Sequence, residues 1–354
     1  MNTKMLCFVI AMSLLIFASA CGPSPEQIAT MTASAWTPTP KPTSTPMPTF
    51  TPTPVPYDLT ITVTNADGDP IAGANVLFPE SASDELFVAD EMGQIVWSNL
   101  AGPTGTLSVS AQGYFNGEQF VTLERGPNEV TVKLERDPFG MLPSEGCGST
   151  ETLLYIEDFQ DGQAQGWPEI DLHATGWNVN EYAEETGNFV ASNNGSEHIG
   201  TTLQEMTFAD AVWRMRLRVD GRRAMSFNWL QNYGIELEGQ QVDDVRYQIV
   251  ADIDVIGIRR LTLPVLNIEA ARGRGAKAGE WHNIEISTFQ GMTEVWLDGQ
   301  RITGYADPKP LPGGGIGLEI FNFDSSKPGT VINFDNISVC GLSAPFTSIY
   351  SAAP

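Results

Sequence analysis

The chain has 354 residues, 42% of them hydrophobic, and a formal net charge of −24. That apolar fraction is enough for a real core, and the acidity argues against nucleic acid as the main partner. Its four cysteines and three histidines form no Cys-His cluster, which argues against zinc.

The first feature in chain order is an apolar run from Met12 to Ala20, behind Lys4, ending in Ala18-Ser19-Ala20-Cys21. A run of about a dozen residues is too short for a spanning helix, which needs ~20, and fits the hydrophobic region of a signal peptide. Small residues before a lone cysteine resemble a bacterial lipoprotein signal, although Ala18 departs from the leucine usual there. The resemblance implies removal of residues 1–20 and lipidation of Cys21, with the membrane as a partner through the lipid. Each buried methylene of an acyl chain gains roughly 0.8 kcal/mol, so several chains on Cys21 would hold the protein durably. Gly22 follows rather than Asp, so nothing argues for inner-membrane retention. An extracytoplasmic, lipid-anchored position at the cell surface is the expectation. The alternative is an ordinary cleaved signal with an incidental cysteine.

Residues 21–56 form a spacer, and the Thr/Pro-rich stretch from Thr37 to Pro56 cannot pack a core. Proline fixes φ and lacks an amide proton, so polyproline II is favoured, reaching about 60 Å at ~3.1 Å per residue. It reads as a stalk, or as a disordered tail of no fixed length.

About 300 residues remain, enough for two domains. In the first, residues 57–137, Tyr57 to Thr64 alternates as a strand does, and Asn65-Ala-Asp-Gly-Asp-Pro70 is a dense turn signal. Ile71 to Phe78 reads as a second strand, Ala89 to Trp97 as a turn and a strand, and Thr106 to Ala111 and Glu129 to Leu134 as later strands. About seven short strands with Gly-rich turns predict a small sandwich. Asp67-Gly-Asp-Pro-Ile-Ala-Gly-Ala-Asn-Val76, Asp90 with Gly93-Gln94, and Ala111-Gln-Gly-Tyr114 resemble the carboxypeptidase regulatory-like family. The resemblance implies a transthyretin-like or Ig-like β-sandwich that serves as a spacer or adhesive module, without catalysis.

Cys7 leaves with the signal and Cys21 is taken by the lipid, so Cys147 and Cys340 remain in an exported chain and are expected to form a disulfide. They bracket the second domain, residues 147–342, which is followed by a tail at 343–354. Val212 to Val219 alternates strictly, placing Trp213, Met215, Leu217 and Val219 on one face and Arg214, Arg216 and Arg218 on the other. The same parity turns Tyr233, Ile235 and Leu237 inward with Tyr247 and Ile249, and Asn232, Glu236, Glu238, Arg246 and Gln248 outward. Trp281 to Ile286, Glu294 to Ile302, Gly315 to Ile320 and Val331 to Val339 supply further strands, and no convincing helix is visible.

Glu157-Asp-Phe159 with Gly166-Trp167, Glu280-Trp-His-Asn283, Val295-Trp-Leu-Asp-Gly299, Gly315-Ile-Gly-Leu318 and Phe334-Asp-Asn-Ile337 resemble a concanavalin-A-like, laminin-G-like jelly roll. Asn232-Tyr-Gly-Ile235 and Leu311-Pro-Gly-Gly-Gly-Ile-Gly317 are similar to its 3-keto-disaccharide hydrolase branch. The resemblance implies two curved sheets sharing a core, with the concave outer face free for a ligand.

The expected ligand face is Trp296, Arg214, Arg216, Asn232, Glu236, Arg246 and Gln248, with Trp296 as a stacking platform for a sugar and polar neighbours fixing its hydroxyls. The alternative is a solvated face with cross-strand Arg–Glu pairs and a tryptophan covered by a loop. Basic residues in Arg214–Arg223 and Arg259–Lys277 hint at an anionic glycan. Laminarinase-like jelly rolls carry Glu-x-Asp-x-x-Glu on one strand, but here Glu236-Leu-Glu-Gly-Gln-Gln241 ends in glutamine, which cannot cycle a proton. Glu236 with His198 or His282 leaves a diffuse hydrolase possibility. Asp158, Asp161 and Asp335 are candidate ligands of a structural calcium, or caps and arginine partners; no other cofactor is expected. The sequence therefore predicts an all-β protein, a small Ig-like or transthyretin-like sandwich followed by a concanavalin-A-like jelly roll. It is expected to bind extracellular carbohydrate without catalysis, with hydrolysis or a structural, adhesive role as alternatives.

Overall fold

The structure is a computed structural model that describes residues 55–79, 86–195, 198–220, 224–251, 254–262, 266–321 and 331–351. Cys21 and the Thr/Pro-rich spacer up to Pro54 lie outside the described residues, as do Arg222 and Arg223. Among the described residues, no helix is long and apolar enough to cross a membrane.

Among its described residues the first domain is a sandwich of seven short strands: β1 (Tyr57–Thr64), β2 (Asn75–Leu77), β3 (Phe87–Val88), β4 (Gln94–Leu100), β5 (Thr104–Ser110), β6 (Gly117–Thr122) and β7 (Gly126–Lys133). One sheet runs β4-β1-β7, with β1 and β7 parallel, and the other β3-β2-β5-β6. Alternation does the work here: Leu59, Ile61 and Val63 on β1 are buried with Val76, Leu107 and Val109 of the facing sheet. The Asn65–Pro70 turn closes as expected, Asn65 Oδ1 accepting the Asp69 amide at 2.8 Å. The expected strand from Ile71 shrinks to Asn75–Leu77, because Gly73 at φ +74° makes a turn before it.

Among the described residues the second domain has fourteen strands: β8 (Thr152–Glu157), β9 (Trp177–Glu181), β10 (Phe189–Asn193), β11 (Ile199–Thr202), β12 (Ala211–Val219), β13 (Ala224–Leu237), β14 (Gln240–Ala251), β15 (Val255–Leu261), β16 (Leu266–Arg272), β17 (Trp281–Phe289), β18 (Met292–Leu297), β19 (Gln300–Ala306), β20 (Gly315–Phe321) and β21 (Ile332–Gly341). They form an eight-stranded sheet, β19-β18-β17-β12-β21-β10-β9 with β8 against β21, and a six-stranded sheet, β11-β20-β13-β14-β15-β16. Among the described residues of this part of the chain, helix occurs as single turns at Pro143–Gly146, Pro168–Asp171 and Ala174–Gly176.

The two sheets share one apolar core, in which Trp213 of β12 stacks on Trp229 of β13 at 6.3 Å and meets Phe227 edge-on at 5.5 Å. Trp213, Met215, Leu217 and Val219 are all buried there, as the alternation of β12 requires. The expected disulfide is present: Cys147 and Cys340 join the approach to β8 to the last strand, with Cα atoms 5.8 Å apart. Asp158 ties the two domains together, accepting Gln112 Nε2 at 2.5 Å and the Met141 amide at 2.8 Å.

Some orientations differ from the sequence reading. Arg214 is outward by parity yet fully buried, because chain from outside the sheet covers it. Tyr233, expected inward, is 61% exposed. Leu230 adopts a left-handed φ of +52° and sits in a bulge where the register of β13 against both neighbours slips, so the alternation predicted through it is shifted.

Candidate functional site

The residues expected to form one ligand face do not share one surface. Arg214, Arg216 and Trp296 lie on the outer face of the eight-stranded sheet, on β12 and β18, and Arg246 and Gln248 on the outer face of the six-stranded sheet, on β14. Asn232, expected outward, stands past the bulge on β13 opposite the fully buried Val245 and takes the core-facing parity, while Glu236 lies near the hairpin end. The core separates the two outer faces.

On the eight-stranded sheet the outer face is occupied by the chain itself. Arg214 bonds Glu151 twice, at 2.7 and 2.8 Å, and Glu285 at 2.9 Å. Its guanidinium also faces the Phe346 ring at 5.6 Å. Trp296 does project opposite Val295 and Leu297, but Phe346 meets it edge-on at 5.7 Å and leaves it half-buried against Val212 and Cys340. The tail runs on: the Ile349 amide reaches Glu285 Oε1 at 3.4 Å, and a Cβ on Gly299 would strike the backbone of Tyr350. Arg216 stacks over Trp281 at 4.4 Å and pairs with Glu185 and Asp335, both at 3.0 Å. Arg218 pairs with Glu184 at 2.8 Å. The alternative weighed from the sequence, Arg–Glu pairs with a covered tryptophan, describes this surface.

The outer face of the six-stranded sheet is different. Thr202 of β11 stands beside Gly317 of β20, Gly317 beside Asn228 of β13, Asn228 beside Gln248 of β14, and Gln248 beside Arg259 of β15. This is a polar row across five strands. Asn228 and Gln248 are only 3% and 5% exposed. Beside the row, Glu319 accepts Gln248 Nε2 at 3.0 Å and pairs with Arg246 at 3.3 Å; Arg246 also pairs with Asp244. Gln231 donates to the Tyr233 hydroxyl at 2.5 Å, and Tyr233 stands out from the surface as an exposed ring. Burial and then the Asp244 carboxylate raise its hydroxyl pKa above the ordinary tyrosine value, so it stays a neutral hydrogen-bonding group.

Five polar atoms on or beside this row have no hydrogen-bond partner: Ser226 Oγ, Asn228 Oδ1, Gln231 Oε1, Asp244 Oδ1 and Arg246 Nε. Buried polar atoms are normally paired, and each left unpaired costs about 1–3 kcal/mol. Sequence reasoning missed Tyr233, and the signal was available: Gln231-Asn-Tyr-Gly234 places turn-forming residues inside a strand, and Gly within a strand commonly marks a bulge. Asn232 turns back to its own strand, donating to Leu230 O at 3.1 Å, and Glu236 is exposed on the β13–β14 hairpin.

The acid–base candidates do not assemble. His282 lies on β17, buried, with Nδ1 2.7 Å from Asp298 Oδ2 and Nε2 accepting the Lys277 amide at 3.0 Å. It is on the opposite sheet from Glu236. His198 is exposed one residue before β11. Glu238 and Gly239 form the hairpin turn, with Gly239 at φ +78°, and Glu238 pairs with Lys309 at 2.9 Å. The carboxylate candidates for calcium are held by protein donors. Asp335 accepts Arg216, Asn188 Nδ2 at 3.1 Å and the Asn336 amide at 2.9 Å, and burial pushes its pKa up to about 7. Asp158 holds Gln112 and Met141, and Asp161 accepts the Gln163 amide at 2.9 Å. Among the described residues the acidic, cysteine and histidine groups close enough to share an ion are Cys147, Glu151 and Cys340, and both cysteines are in the disulfide.

No family model matches the chain, and no curated protein is similar to it in sequence. Solved structures with a similar fold include a carbohydrate-binding module from Bacillus subtilis, 11% identical with a TM-score of 0.33, covering 47% of this chain and 95% of the module. A galectin-like-fold protein of unknown function from the same organism is 10% identical with a TM-score of 0.39, covering 53% of this chain and 95% of its own. A family 16 glycoside hydrolase endo-glucanase from Bacteroides ovatus is 8% identical with a TM-score of 0.40, covering 53% of this chain and 100% of its own. These are likenesses of fold.

Proposed function

We propose that the protein binds extracellular carbohydrate, without catalysis, on the outer face of the six-stranded sheet. The observation that carries this reading is the exposed Tyr233 ring beside a row of polar side chains, several with unpartnered atoms. A sugar offers an apolar C–H face and a rim of hydroxyls. An aromatic ring accepts the first, and amides and carboxylates such as Gln248 and Glu319 accept the second. His282, one of the two candidate bases, sits on the opposite sheet from Glu236 and is held by Asp298, which favours binding over hydrolysis. Lipidation at Cys21 and a Thr/Pro-rich stalk would display the two β-domains at the cell surface, with the small sandwich as a spacer.

A glycan array probed with the full chain, its Tyr233→Ala variant and its Trp296→Ala variant tests the reading. Binding by the native chain, lost in the first variant and kept in the second, is expected. Glycan binding that survives Tyr233→Ala and disappears with Trp296→Ala would move the site to the other sheet. Loss of metabolic fatty-acid labelling on Cys21→Ser tests the anchor.

A further inference from the structure

We propose that the cleft between the two β-domains binds a small organic ammonium ion, a protonated primary amine. The site is separate from the face of the six-stranded sheet and does not rest on the sugar-binding reading of that face.

The cleft has a volume of about 380 Å3, which is in the range of small-molecule sites. The first domain contributes Asn75 of β2 and the turn at residues 110–116, and the second contributes the end of β8 and the segment after it, as far as Gln165. Four acidic residues line it, Asp137, Glu157, Asp158 and Asp161, and none of the residues lining it is basic. Arg136 adjoins, but its guanidinium is engaged by Gly113 O, Gly140 O and the Glu145 carboxylate. Three of the four acids are almost out of water: Asp137 is 4% exposed, Glu157 2% and Asp158 8%. Burial first, and then the charges of Asp137 and Asp161, hold the Asp158 carboxyl above its ordinary range, against the hydrogen bonds from the Met141 and Gln160 amides. A cation in the cleft would offset both causes.

The hydrogen bonds show where it would sit. Glu157 accepts the Phe159 and Gln165 amides, Asp158 accepts Gln112, Met141 and Gln160, and Asp161 accepts the Gln163 amide and the Gln165 side chain. Asp137 differs. Its Oδ1 accepts the Phe139 amide at 2.9 Å, and among the described residues no donor is bonded to its Oδ2. A buried anionic oxygen that lines a cavity without a basic side chain is a seat for a charged donor.

The surroundings select the kind of cation. Among the described residues, these acids do not bring three oxygens close enough to share a metal ion, so the cleft does not chelate one. Phe115, 49% exposed, presents a ring to the same cavity, and a ring face attracts an ammonium group. Ser110, Gln112 and Asn116 supply neutral polar groups for the rest of such a molecule.

The test is isothermal titration calorimetry of the full chain at neutral pH and low salt, with glucosamine, N-acetylglucosamine, putrescine and calcium chloride as separate titrants. Saturable binding of at least one amine is expected, weakened by added salt, with no binding of N-acetylglucosamine, whose nitrogen is uncharged. Glucosamine binding marks a sugar-borne amine and putrescine binding a free polyamine; either upholds the assignment. Asp137→Asn keeps the acceptor for the Phe139 amide and removes the charge, and should weaken the bound amine at least tenfold. Phe115→Ala, an exposed change that decides the matter if Asp137→Asn does not fold, should weaken it several-fold, and Tyr233→Ala should leave it unchanged. No binding of either amine, equal binding of glucosamine and N-acetylglucosamine, calcium uptake in place of the amines, or amine binding indifferent to Phe115→Ala would overturn the proposal and leave the reading of the six-stranded sheet standing.

Discussion

Arg214 offers the sharpest check on which surface of the jelly roll is structural. Its side chain is 1% exposed and makes three short bonds to the carboxylates of Glu151 and Glu285, themselves 6% and 0% exposed. Arg214→Ala would strand two buried carboxylates without a cation. Breaking a buried ion pair from one side costs about 3–5 kcal/mol, because the desolvation of the remaining charge is no longer offset. At about 2–4 °C per kcal/mol for a domain of this size, Tm should fall by roughly 6–20 °C in differential scanning calorimetry. The triple change Arg214→Met, Glu151→Gln, Glu285→Gln removes cation and anions together and should recover much of the loss, since neutral replacement of a whole buried pair is often tolerated. If Arg214→Ala left Tm unchanged and abolished glycan binding, Arg214 would be a ligand contact and the surface assignment made here would be wrong.

Three further outcomes follow from the same structure. Replacing both Cys147 and Cys340 by serine should cost up to about 5 kcal/mol in the loop-entropy description, for a separation of 193 residues, read as a lowered denaturation midpoint. Phe346→Ala should expose Trp296 and shift its fluorescence to the red relative to a Trp296→Phe control, with a stability loss below the roughly 3–5 kcal/mol of a core Phe→Ala change and glycan affinity unaltered. Glu157 is buried, which pushes its pKa up to about 8 against the pull of hydrogen bonds from the Phe159 and Gln165 amides. A carboxyl that holds its proton in the folded state contributes stability below its unfolded value near 4.5 and loses it as pH rises toward 8. Tm should therefore decline between pH 5 and pH 8, and the decline should be shallower in Glu157→Gln; an identical slope in both would show that Glu157 is ionised throughout.

Much of the fold was legible because a half-buried strand writes its burial in alternate residues. β12 announced Trp213, Met215, Leu217 and Val219 as core, and they are. The same reading placed Val295 and Leu297 inside and Trp296 outside, correctly. The site was less legible for three physical reasons. Alternation separates inside from outside, but a sandwich has two outsides, so Arg214 and Arg246 received the same label on opposite surfaces. A strand pattern carries no record of what later covers it, so the tail over Trp296 could not be read from β18. A bulge breaks the parity silently, and the left-handed Leu230 turned Tyr233 from an expected core residue into an exposed aromatic ring. The disulfide, by contrast, followed from the redox setting and from having two cysteines left to pair.

The location of sugar binding is tested most directly by titrating an oligosaccharide that the glycan array identifies into isotope-labelled full chain and following the side-chain amide and indole resonances by NMR. Shifts of the Asn228, Gln231 and Gln248 amide groups, with the Trp296 and Trp281 indole signals unmoved, are the predicted result. Movement of the Trp296 and Trp281 signals with those three amides silent would contradict it.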